Sequence, residues 1–243
     1  MSNDLDGRNA LVIGGSRGIG RAVVEQLATA GAAVAFSYVS NKDAAAALVD
    51  DLRRAGRVAT AFQADLGRVS DVRELFARAG DALGPLDIVV ANAGVAIVKA
   101  LVDCTEEDYD EVFAANAKGT FFALQEAARR VRDGGRIVAV STGGTKMWFT
   151  GTSLYLGSKG AVEQFARVLS RELGPREITV NVVSPGFTDT DLLPERDRRV
   201  AASLSAFGRV GTPAEVARVV GYLASDAARW VTGQNLAAGG GVF

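Results

Sequence analysis

Residues 13–20 read IGGSRGIG, a glycine-rich turn that connects a short apolar run to a helical pattern. Glycine tolerates backbone conformations with positive φ and lets the backbone approach a ligand closely. The segment RAVVEQLA follows the turn and has the apolar spacing of an amphipathic helix. Free N–H groups at a helix N-terminus attract phosphate. A strand, a glycine turn and a helix in this order indicate a nucleotide-binding α/β unit.

Apolar runs and amphipathic patterns alternate along the rest of the chain. The predicted strands are Ala10–Ile13, Ala33–Phe36, Val58–Phe62, Ile88–Ala91, Arg136–Val140, Thr179–Val183 and Gln234–Ala237. The predicted helices are Gly18–Ala30, Asp43–Ala55, Val69–Leu83, Glu106–Val131, Leu154–Leu173 and Pro213–Ala224. Strands that are apolar throughout and alternate with helices belong to parallel sheets covered on both faces. We therefore predict an α/β fold, a single-domain Rossmann-like doubly wound parallel sheet with helices on both faces, spanning residues 1–243.

One segment departs from this alternation. Residues 187–211 are polar and contain the arginine-rich run ERDRR at positions 195–199. Long connections of this kind in a compact domain are usually functional. We predict that the segment forms a mobile substrate lid.

The composition excludes several classes of function. The net charge of −1 gives no electrostatic footprint for nucleic acid. The chain has no histidine and a single cysteine, Cys104, so neither a Ser-His-Asp triad nor an intrachain disulfide can form, and no metal site is expected. No apolar run approaches the ~20 residues of a membrane span, and the initial segment MSNDLDGRNA lacks signal-peptide features. We expect a cytoplasmic protein without a nucleic-acid or membrane partner.

The glycines at 14, 18 and 20 have the spacing G-x-x-x-G-x-G, which resembles that of the short-chain dehydrogenase/reductase family. Further motifs occur in that family's order along essentially the whole chain: ADL at 64–66, ANAG at 91–94, NAKGTFF at 116–122, Tyr155 with Lys159, and SPGFTDT at 184–190. The resemblance implies a homotetrameric oxidoreductase that uses NAD or NADP. It implies cofactor contacts from Gly14, Ser16, Arg17, Gly18, Ile19, Gly20, Tyr38, Ser40, Asn41, Lys42, Asp65, Leu66, Asn92, Ala93, Gly94, Tyr155, Lys159, Pro185, Gly186, Thr188 and Thr190.

The end of the second predicted strand favours NADP over NAD. In dinucleotide folds, an acidic residue at this position binds the ribose 2′-hydroxyl, and its charge would repel a 2′-phosphate. Here the strand ends in FSYVSNK, and Tyr38 occupies the position of the carboxylate. The side chains that offer donors to a phosphate are those of Arg17, Ser40, Asn41 and Lys42.

Tyr155 and Lys159 are four residues apart on a predicted helix and therefore share one face. Hydride transfer to a carbonyl leaves an alkoxide that must be protonated, and Tyr155 is the candidate acid. A free phenol has a pKa of ~10, and a nearby ammonium group is expected to lower it. The resemblance implies that Lys159 also binds the nicotinamide ribose, and that Asn116 holds a water connecting Lys159 to solvent.

A hydroxyl that stabilises the developing charge on the substrate oxygen completes the catalytic set. Members of the family usually place a serine about 13 residues before the tyrosine. Counting back from Tyr155 gives Thr142, whereas Ser141 is one residue further away. Neighbouring residues of a strand point to opposite faces, so only one of the two can readily face the site. Residue type slightly favours Ser141, and both remain candidates.

Apolar residues around these motifs predict a pocket for a bulky substrate. The candidate wall consists of Val95, Ile97, Met147, Trp148, Phe149 and Phe187. Aromatic faces stack on other rings, and methionine adapts its shape. We therefore expect an NADPH-dependent reductase for a ring-containing ketone or quinone, for example an aromatic polyketide intermediate of secondary metabolism.

Two other functions stay open. The ending AFGRVGTPAEVA…LASDAARWVTGQ also resembles 3-oxoacyl-carrier-protein reductases. Carrier proteins are acidic, so that function needs a basic dock beside the site, for which Arg129, Arg130 and Arg132 are candidates. A non-catalytic dinucleotide-binding regulatory protein would also keep the fold. The intact set of Tyr155, Lys159 and Asn116 argues against it.

Overall fold

The computed structural model describes residues 4–243, so the first three residues of the predicted domain lie outside the described residues. Seven parallel strands form one sheet in the order β3-β2-β1-β4-β5-β6-β7. The strands are β1 (Asn9–Ile13), β2 (Ala33–Tyr38), β3 (Ala59–Gln63), β4 (Leu86–Ala91), β5 (Val131–Val140), β6 (Thr179–Pro185) and β7 (Asn235–Ala238). The predicted doubly wound sheet is confirmed, and the strand order reverses between β1 and β4.

The sheet is covered on both faces because each inner strand is apolar on both sides. Val12 and Val90 lie in one buried cluster, whereas their neighbours Leu11 and Val89 lie in the other. The helices are α1 (Gly18–Thr29), α2 (Lys42–Arg54), α3 (Val69–Leu83), α4 (Glu106–Phe113), α5 (Gly119–Arg130), α6 (Ser153–Glu172), α7 (Arg198–Leu204) and α8 (Pro213–Ala224). Across residues 4–243, every helix is too short or too polar to span a membrane.

The prediction of one helix over Glu106–Val131 is wrong at two points. A π-helical turn, Ala114–Lys118, separates α4 from α5. Such turns occur where side chains make specific contacts, and this one contains Asn116, whose amide binds two other segments. Val131 is extended and pairs with Leu86, and residues 132–135 bulge out before the regular register resumes at Arg136.

The predicted lid, residues 187–211, is a loop whose two ends are joined. The Gly211 amide donates to the Phe187 carbonyl at 2.9 Å, and the Asp189 amide donates to the Gly211 carbonyl at 2.8 Å. Between these ends lie a 3₁₀ turn, Glu195–Asp197, and α7, which sequence patterning missed because the segment is polar. The loop therefore begins after β6 and closes on itself just before α8. Its mobility stays a prediction.

Candidate active site

The predicted site residues converge on one edge of the sheet. Each group follows a strand: 14–20 after β1, 38–42 at the end of β2, 65–66 after β3, 92–97 after β4, 141–149 after β5 and 185–190 at the end of β6. Because all strands are parallel, their carboxyl ends meet at the same edge. This edge is the usual ligand site of open α/β sheets, next to the point where the strand order reverses.

The glycine turn after β1 is shaped by positions that accept no side chain. Gly14 has φ +80°, and Gly18, with φ +53°, opens α1. A Cβ atom at Gly20 would lie 1.8 Å from the Gly14 carbonyl oxygen. Arg17 makes no side-chain cap at the start of α1. The first amides of the helix therefore point to the sheet edge without a side-chain acceptor from the N-cap, as an anion site requires.

Two polar side chains hold this turn in place. The Gly14 amide donates to Ser37 Oγ on β2 at 3.0 Å, and Asn92 Nδ2 donates to the Gly14 carbonyl at 2.9 Å. Ala93 packs so closely that a Cβ at Gly14 would lie 2.8 Å from its own Cβ. Ser16 and Ile19 are partly buried within the turn. The ANAG motif thus supports the turn directly.

The residues predicted to select NADP lie at the end of β2 and in the glycine turn. Tyr38 is the last residue of β2 and is partly buried, while Ser40 and Lys42 are exposed. Asn41 Oδ1 caps α2 by accepting from the Ala44 amide at 3.0 Å, which leaves its amide group free to act as a donor. The Arg17 guanidinium is largely exposed and lies 3.6 Å from the Asp191 carboxylate in the lid.

A cleft of about 440 Å³ lies beside these residues, at the ends of β2 and β3. Its lining includes Val39, Asp65 and Arg68. Asp65 Oδ1 accepts from the Gly67 amide at 2.9 Å, which fixes the chain as it leaves β3. Leu66 is buried behind it. The remaining lining comes from Gln63 on β3 and from Asp71 and Arg78 on α3, so Asp65 is the one predicted cofactor residue that borders the cleft.

Lys159 and Tyr155 share one face of α6, as predicted. Lys159 is buried, its Nζ donates to the Val140 carbonyl at 3.0 Å, and burial lowers its pKa to about 8. Burial raises the pKa of Tyr155, and a hydrogen bond with Thr142 offsets part of that increase. The lowering of the Tyr155 pKa by Lys159, expected with the cofactor bound, stays a prediction, because in the chain alone the cost of burying a phenolate dominates.

Gly94 lets two of the predicted catalytic side chains approach each other. A Cβ at Gly94 would lie 3.0 Å from Lys159 Nζ and 3.2 Å from Asn116 Oδ1. Asn116 is buried, with Oδ1 accepting from the Val95 amide at 2.8 Å. Its Nδ2 donates to the Val95 carbonyl at 2.8 Å and to Ser158 Oγ at 3.0 Å. Asn116 therefore ties the loop after β4 to α6, and its predicted role in holding a water stays a proposal.

The two candidate hydroxyls point in different directions. The Ser141 hydroxyl donates to Glu163 Oε1 at 2.7 Å. The Thr142 side chain lies near enough to Tyr155 to lower its pKa, and its hydroxyl accepts from the Gly144 amide at 3.2 Å. The structure thus brings Thr142, and not Ser141, to the tyrosine. Alternation along the strand explains why the two side chains face different groups. Which hydroxyl acts in catalysis stays a prediction.

The predicted apolar wall is only partly assembled. The rings of Phe149 and Phe187 pack edge to face with centroids 5.7 Å apart. Val95, Ile97 and Met147 are partly buried around the same edge. Trp148 is 90% exposed and is not brought together with the other wall residues. The Lys99 amide donates to the Gly151 carbonyl at 2.8 Å, which joins the loops after β4 and β5.

The loop after β6 reaches back to the glycine turn. The Gly186 amide donates to the Ala238 carbonyl of β7 at 3.1 Å, directly after the buried Pro185. Thr188 is buried and its hydroxyl donates to the Gly186 carbonyl at 3.0 Å. The Thr190 side chain lies over the start of α1, where a Cβ at Gly18 would be 3.3 Å from its methyl carbon. Thr190 is thus the predicted residue of this loop that touches the anion-binding helix end.

Comparison with known proteins agrees with this geometry. Residues 13–243 match the protein-family model described as enoyl-(acyl carrier protein) reductase. The chain is 41% identical over 253 residues to a short chain dehydrogenase of Claviceps purpurea, covering 98% of this chain and 96% of that protein. The chain belongs to the short-chain dehydrogenase/reductase family. It is also 39% identical over 255 residues to versicolorin reductase of Emericella nidulans, covering 98% of this chain and 97% of that protein.

Solved structures of short-chain dehydrogenases/reductases have the same fold. The angucycline C-6 ketoreductase LanV with bound NADP is 44% identical, with a TM-score of 0.95 over 100% of this chain and 98% of that chain. A short chain dehydrogenase from Burkholderia cenocepacia J2315 in complex with NADP is 39% identical, with a TM-score of 0.96 over 98% and 99% of the two chains. The resemblance and the fold predicted from the sequence are both confirmed.

The arginines considered as a carrier dock lie away from the site of this short-chain dehydrogenase/reductase. Arg129 and Arg130 both pair with the buried Glu126 at 2.9 Å, and Arg132 pairs with the buried Asp87. They surround the end of α5 and the start of β5, at the amino edge of the sheet. Each of the three is paired with a carboxylate of the chain, on the edge opposite Tyr155.

Sequence reasoning missed three residues that shape the site. Glu163 accepts hydrogen bonds from the loop that carries Thr142, and its spacing of eight from Tyr155 could have revealed it. Ser37 was detectable as a small polar residue inside the apolar strand AVAFSY. The Phe243 ring lies against Gly143, where a Cβ would be 1.9 Å from a ring carbon. No local pattern indicates that last contact.

Proposed function

We propose that the protein is an NADPH-dependent ketoreductase that reduces the carbonyl group of a bulky, ring-containing ketone or quinone. The observation that carries this proposal is the convergence of Tyr155, Lys159 and Thr142 at the sheet edge where the glycine turn opens α1. An acid, a buried cation and a hydroxyl donor are the groups that a carbonyl oxygen needs as it gains negative charge.

The residues at this edge fit a dinucleotide. Gly14 and Gly20 leave room for close backbone approach, and the first amides of α1 can bind a pyrophosphate beside Thr190. Asp65 and the cleft next to it can hold the adenine end. When bound, the nicotinamide supplies the hydride. Gly94 and Lys159 lie where the opposite end of the cofactor would meet the substrate.

Preference for NADPH follows from charge. The end of β2 carries Tyr38 in place of a carboxylate, and the exposed Arg17 and Lys42 can pair with a 2′-phosphate. The Asp191 partner of Arg17 is itself exposed, so the exchange costs little. The NADP bound in the LanV and Burkholderia structures supports the same choice.

The reduction requires that Tyr155 hold its proton until hydride transfer begins. Burial raises the Tyr155 pKa, so the phenol is neutral at physiological pH. As charge develops on the substrate oxygen, Tyr155 transfers its proton to that oxygen and Thr142 donates a hydrogen bond. Lys159, with a pKa of about 8, is mostly protonated at pH 7, and its charge stabilises the phenolate that remains.

The substrate class rests on the aromatic pair beside the catalytic residues. Phe149 and Phe187 present ring surfaces at the edge of the site, and Met147 is partly buried near them. Related proteins named for ring-containing substrates support this choice: one LanV structure contains rabelomycin, and another relative is a versicolorin reductase. We propose a role in secondary metabolism. A 3-oxoacyl-carrier-protein substrate is disfavoured because the candidate dock at Arg129, Arg130 and Arg132 faces the wrong edge.

Self-association is part of the proposal. Exposed apolar side chains lie on α4, α5 and α6, among them Tyr109, Phe121 and Val168. A second exposed pair, Tyr222 and Trp230, lies on α8 and just before β7. Two separate apolar surfaces support a homotetramer, since each can bury one contact with another copy. The cytoplasmic location expected from the sequence stays a prediction.

Turnover with NADPH, followed at the nicotinamide absorbance over a set of ketones and quinones, tests the function. Tyr155→Phe should bind NADPH normally and lower kcat at least ~100-fold, because it removes the general acid. Thr142→Val should cost roughly 100- to 1,000-fold, as loss of an oxyanion donor does, whereas Ser141→Ala should cost no more than several-fold. A Phe variant with wild-type kcat would exclude the mechanism and favour a non-catalytic binding protein.

A further inference from the structure

Glu163 lies on α6, four residues after Lys159 and eight after Tyr155, beneath the loop that follows β5. Its Oε1 accepts hydrogen bonds from Ser141 Oγ at 2.7 Å and from Thr145 Oγ1 at 2.6 Å. Ser141 immediately precedes Thr142, and Thr145 follows it by three residues. A single carboxylate oxygen therefore holds both ends of the turn that carries the catalytic hydroxyl.

We propose that Glu163 is a positioning residue for the reduction: its carboxylate fixes the turn 141–145 so that the Thr142 hydroxyl stays within reach of Tyr155 and the substrate oxygen. Tyr155 and Glu163 belong to the same helix, so the carboxylate fastens the hydroxyl donor to the rigid element that carries the acid. Hydrogen bonds to an ionised carboxylate are short and strong, which suits this task. The inference rests on the proposed function.

Packing on the same turn leaves it little freedom. The Phe243 ring lies against Gly143, and the Thr142 hydroxyl accepts from the Gly144 amide. Without the carboxylate, the Ser141 and Thr145 side chains would lose their common acceptor. The turn would keep the Ser141 amide bond to the Val183 carbonyl and its packing on Phe243, but nothing would fix the side chains on either side of Thr142. A displacement of about 1 Å at a reacting group can cost on the order of 100-fold in rate.

Replacement of Glu163 tests the inference. Glu163→Ala should lower kcat about 10- to 100-fold, while KM for NADPH and the Kd of NADPH change less than about twofold. Glu163→Gln keeps an acceptor oxygen and should restore most of kcat. The Ser141→Ala, Thr145→Val double variant removes both donors without touching α6 and should reproduce the loss, which keeps the test intact if Glu163→Ala does not fold. Glu172→Ala, an exposed glutamate at the end of the same helix, is the control and should keep wild-type kcat.

A double-mutant cycle separates positioning from general stabilisation. Glu163→Ala added to Thr142→Val should cause no further loss in kcat, because the carboxylate acts through the Thr142 hydroxyl. If the losses in kcat of Glu163→Ala and Thr142→Val multiply when the two are combined, the proposal is overturned. Wild-type kcat in both Glu163→Ala and the Ser141→Ala, Thr145→Val variant would also overturn it. If these are silent while Tyr155→Phe and Thr142→Val are impaired, only the role of Glu163 fails. If Tyr155→Phe also keeps full turnover, the proposed function itself fails.

Discussion

The glycine turn (residues 13–20) and the substrate-side loops (residues 95–105, 143–151 and 187–211) adjoin the same catalytic residues but differ in packing. In the turn, a Cβ at Gly14 or Gly20 would approach a neighbouring atom to within 3 Å. In the loops, large apolar side chains such as Trp148 and Phe207 are exposed, and a Cβ at Gly208 would meet nothing within 4 Å.

This difference teaches how one fold can keep its cofactor chemistry while its substrate changes. A side chain added to the glycine turn has to displace backbone, so the geometry that binds phosphate tolerates almost no variation. At an open position of the substrate-side loops such as Gly208, a new side chain displaces only solvent, whereas Gly143, packed against Phe243, is as restricted as the turn. The proposed catalytic residues Thr142, Tyr155 and Lys159 lie at the boundary, and Tyr155 and Lys159 are held by α6.

The largest effect on stability is expected when one methyl group is added to the glycine turn, and the same change in a substrate-side loop is its control. Gly20→Ala should lower the free energy of unfolding by about 3 kcal/mol or more and abolish NADPH binding, because its Cβ would lie 1.8 Å from the Gly14 carbonyl oxygen. Gly208→Ala, with φ +65° but open space, should cost about 1 kcal/mol and leave NADPH binding intact. Urea unfolding and NADPH titration measure both. Equal losses would show that the two regions do not differ in the way described.

The second effect concerns Arg17, an exposed side chain of the glycine turn, and the affinity for NADPH. Arg17→Ala should weaken NADPH binding by about 1.5–3 kcal/mol, the scale of a hydrogen bond to a charged group, and leave NADH binding nearly unchanged. Arg21→Ala is the matched control, since Arg21 lies on α1 and pairs with Glu25 and Asp51. Fluorescence titration with each cofactor decides the matter. An equal loss of affinity for NADPH and NADH would show that Arg17 does not bind the 2′-phosphate.

A third effect tests how completely Lys159 is shielded from water. Burial lowers the Lys159 pKa to about 8, so between pH 8 and 10.5 the unfolded chain binds more protons at this site than the folded chain. The free energy of unfolding should rise with pH in this window by roughly 1 kcal/mol per pH unit, and below pH 8 the contribution should be constant. Lys159→Met should lack this component. Urea unfolding of the cofactor-free protein from pH 7 to 10 measures the difference, and parallel curves for the two proteins would contradict it.

The packed region is also where the sequence was most informative. Gly14, Gly18 and Gly20 indicated the turn, and apolar runs located all seven strands, because burial on both faces leaves a continuous apolar pattern. The π-helical turn at Ala114–Lys118 and the bulge after Val131 were missed. Both are set by contacts with distant segments, which periodicity along the chain does not contain.

Residue roles were less predictable than residue positions. The motif located Tyr155 and Lys159, but it did not indicate that burial raises the tyrosine pKa and lowers the lysine pKa in the chain alone. Counting back 13 residues from Tyr155 pointed to Thr142 while residue type favoured Ser141, and the structure separates them because Thr142 lies near Tyr155 and Ser141 reaches Glu163. Such distinctions require three-dimensional placement.

The smallest effect is expected on KM when an aromatic residue of the substrate-side loops is replaced. Its size shows which aromatic residue contacts the substrate. The Phe149 ring packs on Phe187, while Trp148 is 90% exposed. Phe149→Ala should therefore raise KM for polycyclic ketones roughly fivefold, which corresponds to about 1 kcal/mol of binding free energy. KM for a small diketone should stay unchanged, because a small substrate does not reach the ring pair. Trp148→Ala should change either KM by less than twofold. Comparison of kcat/KM over a size series of ketones measures both variants. A large, size-dependent loss in Trp148→Ala would show that Trp148 turns inward or contacts another copy in the working enzyme, and the loops would then be more ordered than this single chain indicates.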